Sequence, residues 1–278
     1  MKGFLTLISK HVHESRWMLV LSAASLFALG WLFVFVTSRS ELEILKMLAS
    51  DDDSGRAQWM RNMGMADSPS SLSIMMAFWN HPLIILTLSI WAINRGSSAV
   101  AAEVERGTMD LVLSRPISRS AYLATQVLYA VVGLALLASA LVVGAAVGVH
   151  YNALREPPSA WSLIKPALNL TALGLSIYGY TLLASAGDQV RWRPSSIGSV
   201  LTLGGYIAYV VSMIPVLQSQ SWRPYLEKIS IFKAYNPVEL VTTGDSLARN
   251  VSILAGIGAG CIVLAFVVFS RRDLPTNA

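Results

Sequence analysis

The sequence has few charged residues and almost no cysteine. Only 13% of its 278 residues are Asp, Glu, Lys or Arg, whereas a soluble domain carries about 25%. Together with 54% hydrophobic residues and a mean hydropathy of +0.55, this shortage excludes an ordinary soluble enzyme and a disordered chain. The single Cys261 cannot form an intramolecular disulfide. The composition therefore indicates a chain whose main solvent is lipid.

The sequence also lacks the usual motifs of catalytic and nucleotide-binding sites. It contains no G-x-x-x-x-G-K-[ST] phosphate loop, no H-E-x-x-H helix and no matched set of nucleophile, base and acid. The net charge of +5 comes from basic residues scattered between apolar runs, which does not favour a nucleic-acid partner. Met60, Met63 and Met65 could bind a soft metal ion, but packing of flexible methionines is commoner. We therefore predict no enzyme and no metal site in this chain.

Six apolar runs are long enough to cross a bilayer, whose hydrocarbon core needs about 20 helical residues. We expect spans at about 17–37, 74–102, 121–149, 163–186, 196–217 and 251–269, and external loops at 38–73, 150–162 and 218–250. Residues 1–16 place Phe4, Ile8 and Val12 at helical spacing beside basic residues, which predicts a separate interfacial helix before the chain turns inward. The predicted fold is an all-α integral membrane protein with one domain, residues 1–278.

Six spans place both termini on the same side of the membrane. If that side is the cytoplasm, the inside basic residues lie in short segments close to the span ends, as the positive-inside rule favours. We therefore expect a multi-pass protein of the cytoplasmic membrane with both termini in the cytoplasm.

Residues 103–119 join the second and third spans and form the most informative segment. Gly107 permits a sharp turn, Thr108 is suited to cap a following helix, and Pro116 closes the segment. The expected product is a cytoplasmic helix of about two turns at 109–114, held between two membrane helices.

The 103–119 segment reads E-V-E-R-G-T-M-D-L-V-L-S-R-P-I-S-R and resembles the cytoplasmic segment of type-2 ABC transporter permeases. That group includes bacitracin-resistance, sodium-export and nitrous-oxide-reductase-maturation permeases. Residues 229–244 resemble the stretch before the family's last span, and residues 269–274 resemble its short basic tail. The resemblance implies that 103–119 is a coupling helix docking on a separate ATPase. The residues that this implies in the contact are Glu103, Glu105, Arg106, Gly107, Thr108, Asp110, Arg115, Pro116 and Arg119.

The resemblance further implies a permease subunit of an ATP-driven exporter. ATP and Mg²⁺ would then be held by the partner ATPase, with no cofactor in this chain, and a second permease copy would complete a homodimer in membrane lipid. The alternative is a membrane anchor or scaffold that recruits an ATPase without conducting substrate itself. Two G-x-x-x-G patterns, at 144–148 and 256–260, allow close helix approach and agree with a dimer.

Polar residues inside the expected spans are candidates for a substrate pathway. They are His81, Asn94, Arg95 and Asn169. For Arg95 we favour the alternative that it lies near the interface and its side chain reaches the aqueous boundary. The other three are more commonly helix–helix hydrogen-bonding residues.

Overall fold

A computed structural model describes residues 2–49, 55, 58, 61, 70–109, 118–217, 219–242 and 246–272. These residues form helices and connecting turns, with no β-strand among them. Five of the helices are long and apolar enough to cross a membrane, and a bent pair of helices makes a sixth candidate span. The predicted all-α membrane protein is therefore confirmed.

The described part of the chain contains the following α-helices, numbered here in chain order. They are α1 (Lys2–Ala49), α2 (Ser71–Trp79), α3 (Pro82–Ser98), α4 (Ala101–Glu105), α5 (Arg119–Tyr151), α6 (Ile164–Gly187), α7 (Trp192–Ser212), α8 (Arg223–Ile229), α9 (Pro237–Thr242) and α10 (Leu247–Arg271). Short 3-10 helices lie at Ala160–Leu163, Pro215–Leu217 and Ile231–Ala234. The stretch expected as a loop at 218–250 thus contains two short α-helices.

The first helix is longer than the sequence predicted. α1 is a single helix of 48 residues, so the turn expected after residue 16 does not occur. No proline or glycine lies between residues 4 and 29 to interrupt the helix. At 1.5 Å per residue α1 is about 70 Å long, well beyond the roughly 30 Å of a hydrocarbon core. It therefore includes both the expected interfacial segment and the start of the expected 38–73 loop.

The second candidate span is broken near its start. α2 and α3 meet at an angle of 44°. Pro82 is the first residue of α3, where its missing N–H costs no helical hydrogen bond, and His81 caps the helix by accepting a hydrogen bond from the backbone of Leu83.

A second difference concerns α7, which ends at Ser212 rather than near 217 because Pro215 disfavours the helical conformation of the residue before it.

The bundle is held together by close helix contacts and by polar side chains that bond to neighbouring backbones. α6 packs against α3, α5, α7 and α10. Its Asn169 donates to the carbonyl of Ala234 at 2.9 Å, and its Ser176 donates to the carbonyl of Leu254 at 2.6 Å. In an apolar environment such bonds satisfy polar groups that water cannot reach.

α1 and α5 approach each other through glycines. A Cβ on Gly144 would overlap the carbonyl of Phe27, and one on Gly30 would overlap the carbonyl of Leu141. The 144–148 glycine pattern, interpreted from sequence as agreeing with a dimer, thus lies against α1 of the same chain. Gly256 and Gly260 have open space where a Cβ would be.

We expect Gly144→Ala to destabilise the protein by about 1–3 kcal/mol, since the added methyl group meets backbone that cannot move aside without separating two helices. Gly204→Ala is the matched control, because a Cβ on Gly204 in α7 meets nothing within 4 Å. It should leave stability unchanged or raise it by up to about 1 kcal/mol through helix propensity. Thermal unfolding in detergent measures both, and equal midpoints would contradict the close α1–α5 contact.

Candidate functional site

The first residues of the 103–119 segment form a turn directly after α4. Gly107 has a φ of 68°, in the left-handed region that favours glycine, as its place in the sequence predicted. The backbone N–H of Thr108 donates to the carbonyl of Glu103 at 3.0 Å and closes this turn. The chain therefore leaves α4 in a defined direction.

Glu103 is a buried carboxylate that accepts three hydrogen bonds from two side chains. Its side chain accepts hydrogen bonds from Lys10 Nζ at 3.0 and 3.1 Å and from Thr108 Oγ1 at 2.6 Å. Burial alone would raise the pKa of Glu103, but the bonds from Thr108 and Lys10 and the charges of Lys10 and Arg106 outweigh it and lower the pKa below its usual value. The contact joins the N-terminal part of α1 to the start of the 103–119 segment.

Glu105 connects the same segment to the turn between α6 and α7. Its Oε2 accepts a hydrogen bond from the backbone N–H of Arg191 at 2.9 Å. Glu105, Arg106 and Gly107 are all exposed. These residues are therefore accessible at the end of the bundle where α4 lies.

Arg119 connects the far end of the segment to α10. Its guanidinium donates to the carbonyls of Phe269 and Arg272. Arg272 in turn donates to the carbonyls of Ala186 and Asp188, at 3.0 and 2.8 Å. The contact of Arg119 with α10 thus continues to the end of α6.

Three of the residues expected to contact an ATPase, together with most of the expected short helix, lie outside the described residues. They are Asp110, Arg115 and Pro116. The described contacts therefore concern the two ends of the segment.

Arg95 and Asn94 line a polar cavity of about 260 Å³ beside this turn. The Arg95 side chain is only 6% exposed and donates to Gln126 Oε1 at 2.9 Å. Its guanidinium lies 4.9 Å from the centre of the Tyr129 ring, a cation–π distance. Glu103 and other charged residues line the same cavity.

The other two polar candidates lie at the opposite end of the bundle. His81 begins α3, and its ring lies 5.1 Å from that of Phe33. Asn169 is fully buried and donates to the backbone carbonyl of Ala234, in the 3-10 helix Ile231–Ala234. The structure thus brings Asn94 and Arg95 to the 103–119 segment and separates His81 and Asn169 from it.

No group of three or more His, Cys, Asp or Glu side chains that could hold a metal ion occurs in the described part of the chain. Met60, Met63 and Met65 of the methionine-rich patch fall outside that part.

Sequence reasoning missed several residues that organise this end of the bundle. From sequence, Lys10, Arg191 and Arg272 are three of the basic residues that the positive-inside rule weighs, and nothing in their local pattern indicates these contacts. Gln126 had a usable signal, because it is a polar residue within the apolar run 121–149. Lys10 had none, since its partner is 93 residues away.

Glu103→Gln should lower stability at neutral pH by about 1–3 kcal/mol, because Lys10 and Thr108 lose their charged acceptor. Since the pKa of Glu103 is lowered on folding, the carboxylate stabilises the protein above the ordinary carboxyl pKa, and this contribution is lost as the pH falls through the folded value. Wild type and Glu103→Gln should therefore converge in acid. The measurement is thermal unfolding in detergent between pH 3 and 7.

Glu227→Gln is the control for a partly exposed ion pair, with Glu227 2.9 Å from Lys233. We expect it to cost less than about 1 kcal/mol. A constant difference between wild type and Glu103→Gln across the pH range would refute the role of the charge.

Comparison with known protein families matches the ABC-2 family transporter proteins over residues 10–274. No curated protein is significantly similar to this chain. The matched range covers nearly the whole chain, including Lys10, Glu103 and Arg119, which hold the ends of the 103–119 segment. The protein therefore belongs to the ABC-2 transporter family, as a membrane-spanning permease component.

Proposed function

We propose that this permease exports a substrate across the cytoplasmic membrane, driven by ATP hydrolysis on a separate ATP-binding cassette ATPase. ATP and Mg²⁺ are held by that ATPase, and two permease copies form a homodimer in the lipid. The observation that carries the proposal is the attachment of the 103–119 segment at both ends to different helices. Glu103 bonds to Lys10 of α1, and Arg119 bonds to carbonyls at the end of α10.

These attachments support a mechanical role for the segment. When two ATPase subunits close on ATP, displacement of the segment reaches α1 through Glu103 and α10 through Arg119. Glu105 carries it to the turn before α7 through the backbone of Arg191. ATP shifts the permease between two arrangements only if the ATP-bound partner contacts one of them better. Ion pairs and short hydrogen bonds favour transfer of this displacement, because they hold the segment at a fixed position relative to the helices that it contacts.

The orientation can be tested with single cysteines, because Cys261 is the only native one. In a Cys261→Ser background, Arg106→Cys should react with a membrane-impermeant maleimide only after the cells are permeabilised. Glu156→Cys, exposed in the connection between α5 and α6, should react in intact cells. The reverse pattern would place the 103–119 segment outside and overturn the proposal.

Charge reversals within the segment should abolish pairing with the ATPase. We expect Asp110→Arg and Arg115→Glu each to insert normally but to lose co-purification with the ATPase, because like charges then face each other across the contact. The control is Lys228→Glu, an exposed charge reversal at the opposite end of the bundle. Undiminished co-purification of Asp110→Arg and Arg115→Glu would count against a docking role.

Transport and scaffolding differ in their response to substrate. Proteoliposomes that contain permease and ATPase would be screened with ions, peptides and lipids for stimulation of ATP hydrolysis. The proposed exporter responds to at least one class, whereas an anchor or scaffold would bind the ATPase with no stimulation.

A further inference from the structure

The cavity beside Arg95 contains a buried positive charge that pairs with no carboxylate of the residues the structure describes. Its lining includes Arg95, Arg106, Arg191, Glu14 and Glu103, and we refer to it as the arginine cavity. Among the described residues Arg95 forms no ion pair. Its hydrogen bond goes to the neutral amide of Gln126. A buried guanidinium without a counter-charge is costly inside a membrane protein and by default marks a binding site.

The two glutamates of the cavity do not neutralise this arginine. Both glutamates interact with Lys10 instead. The distance from Lys10 Nζ is 3.0 Å to Glu103 and 3.7 Å to Glu14. Since Glu103 also accepts from Thr108, its charge is already matched. The three arginines and two glutamates that line the cavity carry a formal charge of +1. Lys10, which pairs with both glutamates from outside the lining, raises the formal charge of the group to +2.

The free donors of the cavity suit an oxyanion. A guanidinium carries five N–H donors in one plane, and one of those of Arg95 is used by Gln126. Tyr129 contributes a cation–π contact, with the guanidinium carbon 4.9 Å from its ring centre, and takes up no N–H donor of Arg95 as a hydrogen-bond acceptor among the described contacts. Asn94 and Ser98 add neutral polar groups to the lining. Arginine forks match the oxygens of phosphate, which can bond to several donors at once.

We propose that the arginine cavity binds a phosphate group, carried either by a lipid headgroup or by a small soluble molecule. The cavity, of about 260 Å³, has room for such a group together with water or part of the molecule that carries it. Arg95 binds it from α3, Arg106 from the turn after α4, and Arg191 from the turn before α7. The bound phosphate therefore joins elements that Glu103 and Glu105 already bring together. This site is independent of the proposed export, and its binding is measured without the ATPase.

The test uses the full chain purified in a phosphate-free maltoside detergent. Inorganic phosphate is titrated by calorimetry in one arm. Dioctanoyl phosphatidic acid is titrated in a second arm, with dioctanoylglycerol, which has no phosphate, as its blank. Wild type should bind in at least one of the two phosphate arms and should not bind the blank. Binding of inorganic phosphate assigns a soluble source, and binding of the lipid alone assigns a headgroup.

Arg95→Gln should weaken that binding by about tenfold or more, the effect of losing one charge-assisted contact. Arg106→Gln removes an exposed arginine from the cavity rim and should weaken binding while the melting temperature stays unchanged, which keeps the test valid if Arg95→Gln unfolds. Arg193→Gln is the matched control, because Arg193 lies near Arg191 in the chain but pairs with Asp188 outside the cavity. Absence of wild-type binding in both arms, or equal weakening by Arg193→Gln and Arg106→Gln, overturns the proposal.

Discussion

Glu103 is a buried carboxylate at the end of the helix bundle, and its charge must be neutralised by neighbouring groups. Burying an unpaired ion costs several kcal/mol. Lys10 supplies the opposite charge, and Thr108 supplies a hydroxyl hydrogen. Because Lys10 belongs to α1 and Thr108 follows the turn at Gly107, one carboxylate fixes the position of two distant parts of the chain. The direction in which the 103–119 segment leaves the bundle depends on this contact.

The other end of the segment is held by a different kind of interaction. The last turn of a helix leaves backbone carbonyl oxygens without hydrogen-bond donors. Here arginine side chains donate hydrogen bonds to such carbonyls. Arg119 donates to the carbonyl of Phe269 near the end of α10, and Arg272 donates to that of Ala186 near the end of α6. Their charges also face the negative ends of the two helix dipoles. Carbonyl acceptors do not titrate, so this end of the segment stays attached at pH values where the Glu103 contact weakens.

The sequence was sufficient for features that depend on neighbouring residues or on lipid as a solvent. Hydropathy identifies α5 and α10, since a chain in lipid must satisfy its backbone within each helix. The turn at Gly107 also follows from a local backbone constraint. Contacts between distant residues could not be predicted, because no local pattern pairs Lys10 with a partner 93 residues away. For Arg95 the sequence reveals a charge in an apolar helix, but it does not reveal which neighbouring helix the side chain faces.

Glu103 and Arg95, the two buried charged groups beside the turn at Gly107, differ in their capacity to bind a further ion. Glu103 is matched by Lys10 and Thr108, so another ion at that carboxylate would gain little. Within the described part of the chain, Arg95 contacts the neutral Gln126 and the ring of Tyr129 but no carboxylate. An anion that reaches it recovers part of the cost of burying the guanidinium. That recovered free energy is available only while α3 and the turn before α7 stand together around the cavity. An arrangement in which they separate binds the anion less well, so an anion in the cavity stabilises the arrangement described here.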